Sequence, residues 1–486
     1  MQEQTISQEL VDKYDVKASY FTAYPPTGVW PENFNSADFV NVLKNIDRKK
    51  EEGYPLNLYV HFPFCHYQCY FCQCYQSVTY DKVKIRKALQ YLMVEIDLIK
   101  KIFEENSVKS EIKEVHLGGG TPSILDPEDF DKLVEKLGSL VTIKNLDEFA
   151  MEIDPRTVTK DKIKYFASKG INRISFGVQD FDPKVQKAVN RINSFELIQD
   201  LSSHEIRKLF KGLNFDLIYG MPYQTRETWK KTIELVLQIF PDRLAVSNLG
   251  YRPDIFPHNR LIKESDLPNA LERYMMWEDT LELLTKGGYV RVGRDHFAKS
   301  GDDLGKAVYN RTLHRNTMGY TPGRSVDTIG IGPSSLTRIH DYYFQKAYDL
   351  EKYYKVLAEG EFPIIRGYHL NKSDLIRRSI MFKILSYFKV NFKELEDKYN
   401  IDFRQYFKNE LDSGKLKDLI NDKLVVLTPE GLEATNIGRS FLRNICYVFD
   451  NSEGYEHNIA YIKDKQEDWY AKRADLIPLK VSSVKN

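Results

Sequence analysis

The sequence predicts an α/β fold of parallel strands, arranged as a barrel or an open sheet, and three observations predict it. Short apolar runs are each followed by a longer amphipathic stretch; six such alternations follow in series; each run closes on small, polar or charged residues. Parallel strands need crossover connections, and the amphipathic stretches supply them as helices. Folds of this class gather their chemistry at strand ends, where the polar closures fall.

Taken in order, residues 1–54 precede the first strand and read as an N-terminal arm, with the aromatic, proline-rich YFTAYPP at 20–26 docking without helix or strand. The core at 55–260 has strands at 58–62, 114–117, 149–154, 173–177, 214–219 and 243–248, with helices at 82–104, 127–139, 159–169, 194–211 and 226–238. From about 261 to 371 the pattern is irregular, with glycine turns near 287–293, 301–305 and 329–333, and this region is expected to cover the barrel mouth. Residues 372–450 read as a compact, mostly helical domain; LVVLTPEGLEAT at 424–435 gives two short strands around a Glu-Gly turn, a winged-helix-like outline. The tail at 451–486 is polar and carries no assignment.

The 486 residues are 42% hydrophobic and 29% charged, enough apolar surface for a folded core. Lys and Arg total 70 against 69 Asp and Glu, so no global field favours nucleic acid or an anionic membrane. No apolar run approaches the roughly 18 to 20 residues of a membrane span, and the N-terminus lacks the basic and apolar regions of a signal peptide. A cytoplasmic protein without nucleic-acid or membrane partners is expected. Four of the five cysteines, Cys65, Cys69, Cys72 and Cys74, fall within ten residues, a pattern of metal or redox chemistry rather than of a disulfide framework. Cys446 stands alone in apolar surroundings as a core thiol.

Cys65, Cys69 and Cys72 have the spacing C-x3-C-x2-C directly after the first strand, so three thiolates can converge on one small object. A [4Fe–4S] cluster usually takes four cysteines, and three leave one iron open to a substrate or cofactor. The alternative is zinc, with Cys74 or a histidine as fourth ligand, although zinc sites more often use two separated pairs. One strand later comes GGGTP at 118–122, where residues without Cβ permit close approach to a zwitterion.

Those two features, with Phe71 just before the third cysteine, resemble the radical S-adenosylmethionine (SAM) enzymes. A narrower resemblance runs from about 18 to 450: YVHFPFC at 59–65, the extra Cys74, EIDPR at 152–156, GVQD at 177–180, VNR at 189–191, FDLIYG at 215–220, DHFA at 295–298, LHRN at 313–316 and RNIC at 443–446. In that order they resemble the oxygen-independent coproporphyrinogen III oxidases. The resemblance implies a partial (β/α)6 TIM-like radical SAM barrel, one [4Fe–4S] cluster and two SAM molecules per chain. The cluster would be held by Cys65, Cys69 and Cys72, with Cys74 outside the ligand set. Tyr59, Gly119 and Glu152 would hold the first SAM, with Leu336 as an apolar wall; Phe71, Gly120, Thr121, Gln179, Arg191, Asp216 and Gly250 would correspond to the second. Tyr59 and Glu152 are thus the catalytic candidates.

The implied reaction turns two propionates of coproporphyrinogen III into vinyl groups, with a flavodoxin- or ferredoxin-like one-electron donor and a monomeric enzyme. A substrate with four carboxylates needs cations, for which Arg294, His296, His314, Arg315 and Arg324 are candidates. Glu152 and Asp216 have plainer alternatives as caps or ion pairs near strand ends, and Arg191 as a surface residue. The chain departs from the family's usual residues at Tyr20, Gln73, Tyr75 and Arg294. These departures leave open a related paralogue that transfers a methyl or methylene group or modifies another tetrapyrrole. A heme carrier or DNA-binding regulator is disfavoured by the retained cysteines and the near-zero charge.

Overall fold

The computed structural model describes residues 6–15, 21–47, 55–323 and 326–452. Tyr20, Arg324 and all of the tail but Asn451 and Ser452 lie outside the described residues. The six expected strands are β1 (Leu56–Phe62), β2 (Ile112–Gly119), β3 (Glu148–Ile153), β4 (Arg173–Gln179), β5 (Gly212–Tyr219) and β6 (Arg243–Asn248). They lie side by side in chain order and pair in parallel throughout. Between them run α1 (Lys82–Glu105), α2 (Pro127–Gly138), α3 (Lys160–Ser168) and α6 (Arg226–Ile239), close to the expected bounds. The stretch 194–211 is not one helix. It breaks into α4 (Phe195–Leu201) and α5 (His204–Arg207) at the serine pair 202–203, serine being a weak residue for continuing a helix; Ser203 stands at the N-cap of α5.

The region 261–371 is more ordered than its sequence pattern suggests. It holds a 17-residue helix, α7 (Ala270–Lys286), capped by Asn269 and Glu272 bonding each other's backbone. It also contributes six strands that widen the sheet on both sides. On one side, β8 (His296–Lys299) pairs antiparallel with β6, and β7 (Tyr289–Val292) follows at the edge. On the other, β9 (Asp327–Ile331) lies parallel to β1, and β10 (Leu336–Ile339), β11 (Tyr342–Lys346) and β12 (Ile364–His369) continue antiparallel. The 12-strand order is β12-β11-β10-β9-β1-β2-β3-β4-β5-β6-β8-β7.

The strands alternate. In β1, Leu56, Leu58, Val60 and Phe62 join the core beneath the helices, while Asn57, Tyr59 and His61 line the barrel interior. The same division separates Val115 and Leu117 from Glu114 and His116, and Leu213, Phe215 and Leu217 from Asn214 and Asp216. A closed barrel would fill its interior with branched apolar side chains; here it is a polar cavity.

A second apolar core joins the N-terminal segment to the C-terminal helices, including α8 (Lys372–Tyr387), α9 (Phe392–Tyr399) and α10 (Leu442–Val448). Cys446 is fully buried in it, and Phe21 and Tyr24 of the arm are buried there without helix or strand. The Glu-Gly turn at 430–431 joins Val425–Leu427 to Gly431–Ala434 in an antiparallel hairpin. No described helix is long and apolar enough to cross a membrane.

Candidate active site

The barrel interior is a cavity of about 510 Å³. Its floor lies at the strands' N-terminal ends, where four charges form a ring. Arg173 reaches Glu148 at 2.8 Å and Asp302 at 3.2 Å, and Arg243 reaches Asp302 at 2.6 Å and Glu148 at 3.4 Å. Burial alone would raise Glu148 and Asp302, but Arg243 and Arg173 outweigh it and hold both carboxyls below their ordinary range.

Halfway up, the groups become acceptors with capacity to spare. Asp216 accepts from Ser175 Oγ and Asn214 Nδ2, both at 2.8 Å, and burial together with the charge of Glu152 raises its pKa. Glu152 meets His116 Nε2 at 3.0 Å and accepts from the Gly119 amide at 3.3 Å. Burial would lower His116, yet its bond to Glu152 and that group's charge overcome this and raise its pKa. Tyr59 stacks beside His116 with centroids 5.9 Å apart and places Oη 3.2 Å from His61 Nδ1. His61 Nε2 sits 2.7 Å from the Tyr75 carbonyl, which only accepts; Nε2 therefore carries the hydrogen, and Nδ1 accepts from Tyr59. Burial pushes His61 down, consistent with this neutral tautomer.

Above β1 the cysteine loop closes the mouth. Its thiols are all free; Cys69 is buried, Cys65 and Cys72 are half-buried and Cys74 is exposed. Thr121 Oγ1 donates to Cys65 Sγ at 3.1 Å, and Arg156 Nη2 and Arg191 Nη1 point at Cys69 Sγ from 3.4 and 3.7 Å. Asp154 clamps both guanidinium groups, at 2.7 and 2.8 Å. The loop backbone is tied down by Asn190 Nδ2 on Gln68 O, His258 Nε2 on Cys72 O and Asn259 Nδ2 on Tyr70 O. Gly120 N donates to Phe62 O at 2.6 Å, and a Cβ on Gly120 would lie 2.5 Å from Phe64 O; Gly119 adopts φ +101°. Only glycine fits this turn.

Three thiols on one loop, guanidinium groups aimed at one sulfur and a glycine turn without Cβ atoms form a donor set suited to an iron–sulfur cluster with a small zwitterion beside it.

The structure brings Tyr59, Glu152, Asp216 and Leu336 to the cavity, ties Gly119 to it through Glu152, and brings Cys65, Cys69, Cys72, Gly120, Thr121 and Arg191 to the loop above it. Phe71 packs with Tyr70 and Tyr251 against the neighbouring core at Val189 and Met221. Gln179, at φ 72°, lies against Gly177, and Gly250 gives its carbonyl to the side chain of Gln73. Arg191 is 7% exposed, with Asp154 and the Gly177 carbonyl already on its fork, so it is no surface residue.

Of the cation candidates, His296 lines the cavity, with Nδ1 2.8 Å from Asp295 Oδ1. Arg294 does not: it ion-pairs with Asp295 and lines a small side pocket. His314 and Arg315 line a separate cleft. Arg294, His314 and Arg315 thus lie off the cavity, while His296, the stretch 316–322 and the stretch 334–336 bring the region 261–371 to its wall. Asp154, Arg156, His61, His116, Ser175, Asn214 and the floor ring escaped the sequence reading. The alternation within each strand was the signal for the inward-facing ones.

Comparison with known proteins gives the following. The radical SAM superfamily model matches residues 59–236 and the HemN C-terminal domain model residues 370–441. An oxygen-independent coproporphyrinogen III oxidase of Helicobacter pylori (strain J99) is 38% identical over 450 residues, covering 92% of this chain and 97% of its own length. Its counterpart in Escherichia coli K12 is 35% identical over 441 residues, covering 91% and 94%. The solved structure of coproporphyrinogen III oxidase (HemN) from Escherichia coli, described as a radical SAM enzyme, superimposes with a TM-score of 0.81 at 35% identity, over 89% of this chain and 97% of that one.

Proposed function

The chain belongs to the oxygen-independent coproporphyrinogen III oxidase family, and from that membership we propose that it converts two propionates of coproporphyrinogen III to vinyl groups, giving protoporphyrinogen IX. Each propionate loses one hydrogen atom from its β-carbon, carbon dioxide, and one electron that passes to an acceptor. A [4Fe–4S] cluster and SAM, when bound, supply the adenosyl radical that takes the hydrogen atom.

The chain does the rest. Cys65, Cys69 and Cys72 would hold the cluster, with Arg156 and Arg191 directing guanidinium N–H groups at the Cys69 sulfur, and Cys74 would stay outside the ligand set. Glu152, Tyr59 and Gly119 position the first SAM, and Leu336 walls it from water. Phe71, Gly120, Thr121, Gln179, Arg191, Asp216 and Gly250 serve a second SAM. His296, held by Asp295, meets a substrate propionate. A flavodoxin- or ferredoxin-like donor delivers electrons at the exposed face of the cysteine loop, and the enzyme works as a cytoplasmic monomer.

The observation that carries this reading is the hydrogen bond from the Gly119 amide to Glu152, below a loop of three free thiols. It sets a carboxylate and an unhindered backbone at the place a zwitterion beside the cluster would occupy. The test is one anaerobic incubation with SAM, reductant and coproporphyrinogen III, followed by mass spectrometry. Loss of two carbon dioxide units with 5′-deoxyadenosine is expected. SAM cleavage with intact coproporphyrinogen would overturn the substrate, and S-adenosylhomocysteine would mark group transfer instead.

A further inference from the structure

A second cavity, of about 610 Å³, lies between the barrel and the C-terminal helices. It opens at the N-terminal end of β9, and Asp327 there pairs with Leu56, so it faces away from the cysteine loop that follows the other end of β1. The barrel cavity takes Leu336 from β10 and this cleft takes Arg338, two residues further along the same face. The ribbon His314–Arg315 with Tyr320–Thr321 stands between the two spaces.

Its charges are unbalanced. Arg338 is 8% exposed, donates to the Arg315 carbonyl at 2.9 Å and has no carboxylate partner among the described residues; its Nε is buried without an acceptor. Among the described residues Arg378 is held by neutral groups, the His340 carbonyl at 3.3 and 3.2 Å and Tyr343 Oη at 3.4 Å. Arg311 and Lys398 add cations at the rim. Of the two lining carboxylates, Asp327 pairs with His340 of the cleft wall at 3.1 Å and Asp341 pairs with His369 at 3.2 Å; neither forms an ion pair with Arg338 or Arg378 among the described residues. Burial, then the charge of Arg378, push Arg338 downward, and these outweigh the opposing charge of Asp327. Buried cations are ordinarily paired, so this arrangement calls for an anion.

Size and walls narrow the class. A single phosphate would leave most of the volume unfilled, whereas about 300 to 1,000 Å³ suits a drug-sized molecule. Phe382, Tyr387 and Tyr399 supply aromatic wall, and the cations stand on separate elements, β10, α8 and α9. Three aromatic side chains among dispersed cations fit a large ring carrying several carboxylates.

We propose that this cleft binds a tetrapyrrole through its propionates, as a second site apart from the barrel. The choice of a tetrapyrrole rests on the proposed function. The site holds a polycarboxylate at the opposite end of the barrel from the chemistry, next to the ribbon that walls the reaction chamber.

The test uses the full-length, anaerobically reconstituted protein and the fluorescent oxidised ring, coproporphyrin III. Its binding is titrated by fluorescence in the unmodified protein, in Arg378→Gln and in the rim variant Lys398→Glu, which alters only an exposed helix surface. About tenfold weaker binding in both variants, with iron content and coproporphyrinogen turnover retained, is the expected result. A Cys69→Ala protein lacking the cluster should keep this binding. Equal affinity in all forms overturns the proposal, as does an unmodified protein that ignores coproporphyrin III but binds inorganic phosphate. Failure of turnover with cleft binding intact breaks the proposed function alone; turnover without cleft binding breaks this proposal alone.

Discussion

The floor and the mouth of the barrel are both charged, yet they use charge in opposite ways. At the floor, Glu148, Arg173, Arg243 and Asp302 each contact two partners of opposite sign. At the mouth, Glu152 meets one histidine and one amide, and its side chain is 40% exposed, while two guanidinium groups converge on a sulfur. In the ring each charge is matched by two of opposite sign, and only Arg243 Nη2 is left without a partner, so the floor is chiefly structure. The mouth keeps acceptor capacity on Glu152 and sulfur, and there the chemistry can occur.

Substitutions can break or sharpen that contrast, and the largest effect belongs to the mouth. Cys69→Ala should abolish the visible absorption of the reconstituted cluster, whereas Cys74→Ala should retain it. Loss in both would put Cys74 among the ligands. Next is the floor: Arg173→Met leaves Glu148 and Asp302 short of a buried partner and should cost about 3–5 kcal/mol in denaturant unfolding. If that variant is as stable as the parent, the ring is not the structural base assigned to it.

At the mouth again, Glu152→Gln should weaken SAM binding by roughly 100-fold, the range for losing a charged hydrogen-bond partner, with iron content unchanged. A matching loss of iron would instead make Glu152 a support of the loop. A smaller effect concerns pH. His116 is raised above its ordinary 6.5 in the folded state. Its pair with Glu152 therefore contributes stability that is full below about pH 6.5 and is lost as pH rises through the raised value. Both side chains are partly exposed, so the contribution is under about 1 kcal/mol. Unfolding midpoints taken across neutral pH should show this slope in the parent and not in His116→Gln.

Least affected should be Gln73→Gly, which removes only the contact to the Gly250 carbonyl and should change turnover by less than about tenfold. A larger change would give this departure from the family pattern a role in substrate choice. The other departures divide similarly: Tyr75 offers its carbonyl to His61, and Arg294 is taken up by Asp295.

The six parallel strands, most of their helices and the cysteine loop were legible because each is a local pattern. Period, turn residues and the spacing of Cys65, Cys69 and Cys72 lie within a few residues of one another. Several inward-facing polar residues of the strands were missed, although alternation marks them: His116 stands between Val115 and Leu117 as plainly as Asn214 between Leu213 and Phe215.

What the tertiary structure alone decided is partnership. Nothing near Arg191 announces that Asp154, 37 residues earlier, takes its fork, nor does anything near Arg173 announce Asp302, 129 residues later. Such pairs form when the loops and strand ends of separate elements meet at one end of the sheet. The sequence by itself determined which strands and which thiols exist, since these follow from local periodicity and spacing. The sheet's growth through β7 to β12, the ring at the floor and the cleft arginines that lack a carboxylate partner among the described residues were decided by packing between distant segments, where charge pairing depends on three-dimensional proximity.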